Sequence, residues 1–139
     1  MHSPNGPIEL SLRVPADVRA PAVARRLLVT SVGGAIEPEV VEIGTLLVSE
    51  LVTNSVRHAG IAPPQQVGLH VRAHRTLRVE VSDDGGGLRQ TPAGARGDGG
   101  FGLVLLAELA DRWGVDPGPP TCFWFEVDPR SGRDRGPGV

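Results

Sequence analysis

The stretch from Asp83 to Gly102 limits what this chain can fold into more than any other segment. It is dense in glycine and nearly empty of apolar side chains. It cannot supply core, so it reads as a loop, and a long one for a compact domain. The core must come from the segments on either side. Upstream, Ile8 to Val14 alternates apolar and polar residues strictly, the pattern of a half-buried strand, and Pro15 ends it. A helix follows, starting near Asp17 or at Pro21. Ala24, Leu27, Leu28 and Val32 form its apolar face, and Gly33-Gly34 stops it. A second helix is expected from Pro38 to Ala59, ended by Gly60 and Pro63-Pro64. Its small and apolar residues Gly44, Val48, Leu51, Ser55 and Ala59 share one face and would lie flat against a sheet. Val67 to Val71 and Leu77 to Val81 alternate as strands, joined as a hairpin near His74-Arg75.

Beyond the glycine-rich stretch, Phe101 to Arg112 reads as a third helix with Leu103, Leu106, Leu109 and Ala110 facing inward. Trp113 to Val115 is expected as a short strand, Asp116 to Pro120 as a turn, and Thr121 to Val127 as a last apolar strand. These elements predict an α/β two-layer sandwich. About three helices would cover one face of a mixed, mostly antiparallel sheet of about five strands. At 139 residues the chain suits one domain over 8–128, with a flexible N-terminus over 1–7 and a disordered tail over 129–139. Residues 88–99 would form a lid. The net charge of −2 does not favour nucleic acid or an anionic membrane. A single cysteine, Cys122, excludes an internal disulfide and a cysteine-based metal site. The polar N-terminus lacks a signal core and no apolar run is long enough for a membrane span, so the expected compartment is the cytoplasm.

Two glycine clusters carry chemistry. Asp83 stands at the mouth of a predicted strand, with Gly85, Gly86 and Gly87 just beyond. Glycine there lets a flat ligand approach the main chain, and an ionised carboxylate only accepts hydrogen bonds, as an exocyclic amine such as that of adenine requires. The plain alternative is a flexible surface turn. Gly97-Asp98-Gly99-Gly100-Phe101-Gly102 opens the third helix. Unsatisfied N–H groups at a helix start, exposed by glycine, suit a phosphate; otherwise the glycines merely loosen the helix entry. The literal G-x-G-x-x-G spelled by Gly97, Gly99 and Gly102 is not a dinucleotide fingerprint, because no strand precedes it.

The second helix carries Glu50, Asn54 and His58 at four-residue spacing on a polar stripe. An Asn carbonyl oxygen suits magnesium, which keeps several waters and takes few protein ligands. A neighbouring Glu can orient or deprotonate a hydroxyl. A solvated face is the alternative, although Asn costs helix propensity in a segment this apolar. His58 reads as structural support near the helix end.

Together these residues resemble the GHKL (Bergerat-fold) ATPase superfamily and, more narrowly, small bacterial anti-sigma factor and serine-protein kinase ATP-binding proteins. Glu50-Leu-Val-Thr-Asn54-Ser-Val-Arg-His58 resembles the N box; Asp83-x-Gly85-x-Gly87 the adenine box; Gly100-Phe-Gly102-Leu103 the glycine box at the end of the lid. The resemblance implies Glu50 as general base, Asn54 as magnesium ligand, Asp83 with Gly85 and Gly87 at adenine, and Gly100, Gly102 and Leu103 at the phosphates. Thr121 matches a threonine that supports the adenine site, although Pro119-Pro120-Thr121 stands where the family usually has Gly-Lys-Thr. ATP and Mg2+ are the implied cofactors. The implied activity is a protein serine/threonine kinase that phosphorylates a small antagonist and, when free, sequesters a sigma factor. The alternative is a nucleotide-dependent binding module without effective kinase activity. The resemblance also allows a homodimer.

Overall fold

The computed structural model describes residues 6–58, 64–83, 100–117 and 120–131. The first strand, β1 (Ile8–Pro15), turns Ile8, Leu10, Leu12 and Val14 inward and leaves Glu9, Ser11 and Arg13 exposed. It pairs antiparallel with β2 (Gln66–His74), Ile8 opposite Ala73 and Val14 opposite Val67. β2 pairs in turn with β3 (Thr76–Asp83). His74 faces Thr76, so Arg75 alone makes the turn, with a φ of 78°. Both strands are longer than the sequence reading, because Arg72, His74 and Thr76 continue the alternation on the outward face and β3 runs on to Asp83.

The helices form from the apolar stripes expected of them. Helix α1 (Ala20–Val32) carries Pro21 in its first turn, which settles its start. Asp17 instead accepts the Arg19 N–H at 2.9 Å, in the turn before the helix. Ala20, Ala24, Leu28 and Val32 are buried, and the Gly33 N–H closes the helix on the Val29 carbonyl. Helix α2 (Pro38–His58) buries Val40, Leu47, Val48, Leu51 and Val52 completely. Gly44 lies on the sheet side, where a Cβ would overlap Leu77 Cδ2. Ala59, the expected last residue of this helix, lies outside the described residues.

Helix α3 (Gly100–Leu109) is followed by β4 (Arg112–Asp116) and β5 (Cys122–Val127). The sequence reading carried α3 on to Arg112. Instead the Asp111 N–H donates to the Glu126 carbonyl at 2.8 Å and Arg112 pairs with Glu126, so β5 draws these residues into the sheet. The strand order is β1-β2-β3-β5-β4, and each of the pairs is antiparallel. The expected mixed, mostly antiparallel sheet is thus antiparallel throughout the described residues. One sheet face packs against the three helices around Leu28, Leu47, Leu51, Leu77, Leu106 and Phe125. Residues 129–131, read from composition as part of a structureless tail, are bonded to the domain: Glu37 accepts the Arg130 N–H at 2.7 Å. Composition could not show this, because the partner lies far back in the chain.

The outward sheet face is polar. Arg78 reaches Glu80 and Glu126 and lies 4.4 Å from the Trp124 ring centre. Arg112 bonds Glu126 and Asp128.

Candidate functional site

Two anchors fix the direction of α2. Glu37, just before it, is bonded to Arg130, just past Val127, and Val127 is paired with Leu77 at the start of β3. Gly44 then sits over Leu77. Helix α2 therefore runs alongside β3 in the same sense. Asn54 is about 15 Å along the helix from Gly44. Asp83 is about 20 Å along the strand from Leu77. The half of α2 that carries Glu50 and Asn54 thus travels toward the Asp83 end of the sheet.

Helix α3 runs the opposite way. Its last residue, Leu109, gives its carbonyl to Arg130 beside the start of α2. Its first turn, with Gly100, Gly102 and Leu103, is directed back toward the Asn54 and Asp83 end. The N–H groups of that turn are free of intrahelical partners, as in any first helical turn. His58 closes α2 at the same end. Gly85 and Gly87 lie outside the described residues.

Asp83 alternates with Leu77, Val79 and Val81, so it points to the helix side of the sheet, and it is only 3% exposed. Its N–H donates to the Thr121 carbonyl at 3.3 Å. Thr121 is fully buried, and its hydroxyl donates to the Pro117 carbonyl at 3.2 Å. Two residues chosen from distant parts of the sequence are therefore brought together. The Asp83 carboxylate is buried, not solvated. Its place, at the end of an apolar face, is unlike that of a solvated turn residue.

Glu50 and Asn54 are half-buried, while Leu51 and Val52 between them are fully buried. Neither lies on a freely solvated helix face. Next to Glu50, Ser49 accepts a hydrogen bond from Arg25 at 2.9 Å, which ties this part of α2 to α1. The Thr53 hydroxyl is satisfied by the Ser49 carbonyl at 2.8 Å. Cys122, on the outward face, is not part of this constellation. Burial, then Glu80 and Asp116, push its thiol up, which suppresses the thiolate. A groove of about 700 Å3 lies elsewhere, over the N-terminal half of α2 beside Glu39, Glu42 and Leu46. Its lining sets Glu39 and Glu42 beside Arg25, and none of the site residues expected from the sequence lines it.

A family model for the histidine kinase-like ATPase domain matches residues 14–122, most of the chain and all three glycine and asparagine boxes. The chain belongs to the histidine kinase-like ATPase domain family. Its ATPase-type fold is also similar to a solved chain from Mycobacterium tuberculosis, the RsbU and RsbW domains of Rv1364c, with a TM-score of 0.65 and 18% identity. That match covers 86% of this ATPase domain and 31% of the other chain, so the domain spans about a third of its neighbour's length. No curated protein matches the sequence.

Sequence reasoning missed two residues of this ATPase domain. Pro117, whose carbonyl holds the Thr121 hydroxyl, was legible only as part of a turn. Arg130 gave no signal, because its partners Glu37, Leu109 and Asp111 are scattered along the chain.

Proposed function

We propose that this domain binds Mg-ATP and transfers the γ-phosphoryl to a serine or threonine of a small antagonist protein, and that it sequesters a sigma factor when free. The observation that carries the reading is the meeting of Asp83 and Thr121 in the buried end of the sheet toward which Glu50, Asn54 and the start of α3 are directed. Asp83 accepts the adenine amine. Gly85 and Gly87 let the ring approach the main chain, and Gly100, Gly102 and Leu103 offer amides to the phosphates. Asn54 would hold Mg2+ through its side-chain carbonyl oxygen, a hard donor of the kind that ion takes. A lone amide oxygen suits magnesium, which keeps several waters, rather than zinc, which takes His, Cys or carboxylate ligands. Glu50 orients the substrate hydroxyl and takes its proton, and the amides of the first turn of α3 face the charge of the transferring group; a bound Mg2+ would supply further charge neutralisation there. The kinase assignment is supported by the family and by likeness to a chain containing an RsbW domain.

The test starts with capture of partners from native lysate with and without Mg-ATP, followed by labelled-ATP transfer to whatever is captured. Wild-type protein is expected to label a small partner. Glu50→Ala is expected to bind ATP normally and to lose transfer by about a hundredfold or more. If the wild-type protein binds ATP and captures a partner in an ATP-dependent way yet never labels it, the domain is a nucleotide-dependent binding module instead.

A further inference from the structure

Helix α3 is poorly equipped to hold itself. Glycines in its first turn disfavour the helical state. It has no acidic residue in its first turn and no basic residue in its last, so neither end of its macrodipole is offset from within. Among its described side chains only Leu106 is fully buried, and Val104 is 56% exposed. A helix this short is marginal without outside support.

The support comes from the far end of the chain. Arg130 Nη2 donates to the Leu109 carbonyl at 3.1 Å, one of the acceptors a helix end leaves open. Its Nη1 lies 3.4 Å from Asp111, whose carboxylate also accepts the Asp128 N–H at 2.7 Å. The Arg130 side chain is 16% exposed and that of Asp111 12%, so the pair is largely shielded from water. On its other side the Arg130 backbone is held by Glu37, which also takes the N–H and hydroxyl of Ser131. One residue thus grips the C-terminus of α3 and the approach to α2.

We propose that Arg130 is a positioning residue of the nucleotide site. By clamping the end of α3 to the start of α2, it fixes where the first turn of α3 sits relative to Asn54, without touching nucleotide. The role rests on the ATP-binding reading above. It predicts a division of effects: contacts of the phosphates depend on Arg130, and contacts of the base at Asp83 do not.

The experiment uses the full chain with Arg130→Ala and Arg130→Lys. Hydrogen exchange of the apo protein is expected to rise about tenfold in the α3 amides of Arg130→Ala, with β2 and β3 unchanged. Calorimetry is expected to show ATP binding weakened about tenfold. Adenosine binding, followed by NMR titration, stays within about twofold. Arg130→Lys, which keeps the cation at the helix end, recovers most of both effects. Unchanged exchange in α3 would overturn the proposal. So would equal weakening of ATP and adenosine together with loss of protection throughout the sheet, because that is what a merely destabilised domain does. A wild-type protein that binds neither ligand overturns the nucleotide reading and the positioning role with it, and the exchange data then still decide whether Arg130 holds α3.

Discussion

Asp83 shows how much a single side chain can be read from sequence and where that reading stops. An acid directly after an alternating strand and before a run of glycines reads either as a recognition point or as a flexible surface turn. Its depth could not be read, nor could its backbone bond to Thr121, since residues 84–99, α3 and β4 lie between the two in the chain. The Thr121 hydroxyl is a similar case: whether it bonds Pro117 depends on a turn whose geometry the residues Pro117-Gly-Pro-Pro do not fix in advance. Asp83→Asn tests the recognition role with little change of shape. A pure acceptor becomes partly a donor facing the donor amine of adenine. ATP and ADP affinity are both expected to fall by about tenfold or more, about 1.4 kcal/mol, in titration calorimetry. Unchanged affinity in a variant that still folds would remove Asp83 from the adenine site.

Among the elements, α2 was the most legible, because small and apolar residues recur on one face for its full length. Gly44 is the reason it can lie so close to the sheet. Leu77 is fully buried and Leu28 closes the other side, with its Cδ2 3.4 Å from where a Cβ would stand, so neither can yield easily. Gly44→Val is expected to push α2 off β3 and to cost about 2 kcal/mol despite the better helix propensity of valine. A thermal melt should record this as a fall in Tm of about 10 °C. An unchanged melting temperature would mean that the helix and strand have room to spare. Helix α3 was less legible at both ends. Its apolar pattern continues through Ala110, and only the pull of Glu126 on Asp111 and Arg112 ends it at Leu109. The strands β2 and β3 were underestimated for the opposite reason: their ends are polar on the outward face, and hydrophobic runs alone do not reveal a ladder that continues past them.

Across the whole molecule the sandwich has one apolar interior and one charged outer sheet face, and the latter makes stability depend on acid. Hydrogen bonding from Arg112, aided by Arg78, holds the Glu126 carboxyl below its ordinary value of 4.5 despite partial burial. Burial alone would lower the Arg78 pKa, but its bonds to Glu126 and Glu80 leave it raised. As pH falls, the unfolded chain takes up the Glu126 proton before the folded one does. The stabilisation is therefore full above about 4.5 and is lost as pH drops through the folded value. Glu126→Gln is expected to cost about 1 kcal/mol in urea unfolding at pH 7, discounted for partial exposure. The gap between variant and wild type should narrow as pH falls below 4.5; a gap that stays constant through the acid range would mean the charge network contributes nothing through Glu126. The same sheet also sets the order in which the domain can assemble. Arg75 alone closes β2 on β3, a local event, whereas Ile8 meets Ala73 only after both α1 and α2 have been threaded between them. The entropy of closing that larger circuit must be met before the pairing is rewarded. Pairing of β1 with β2 therefore closes a far larger loop than the β2–β3 hairpin, with α1 and α2 both inside it.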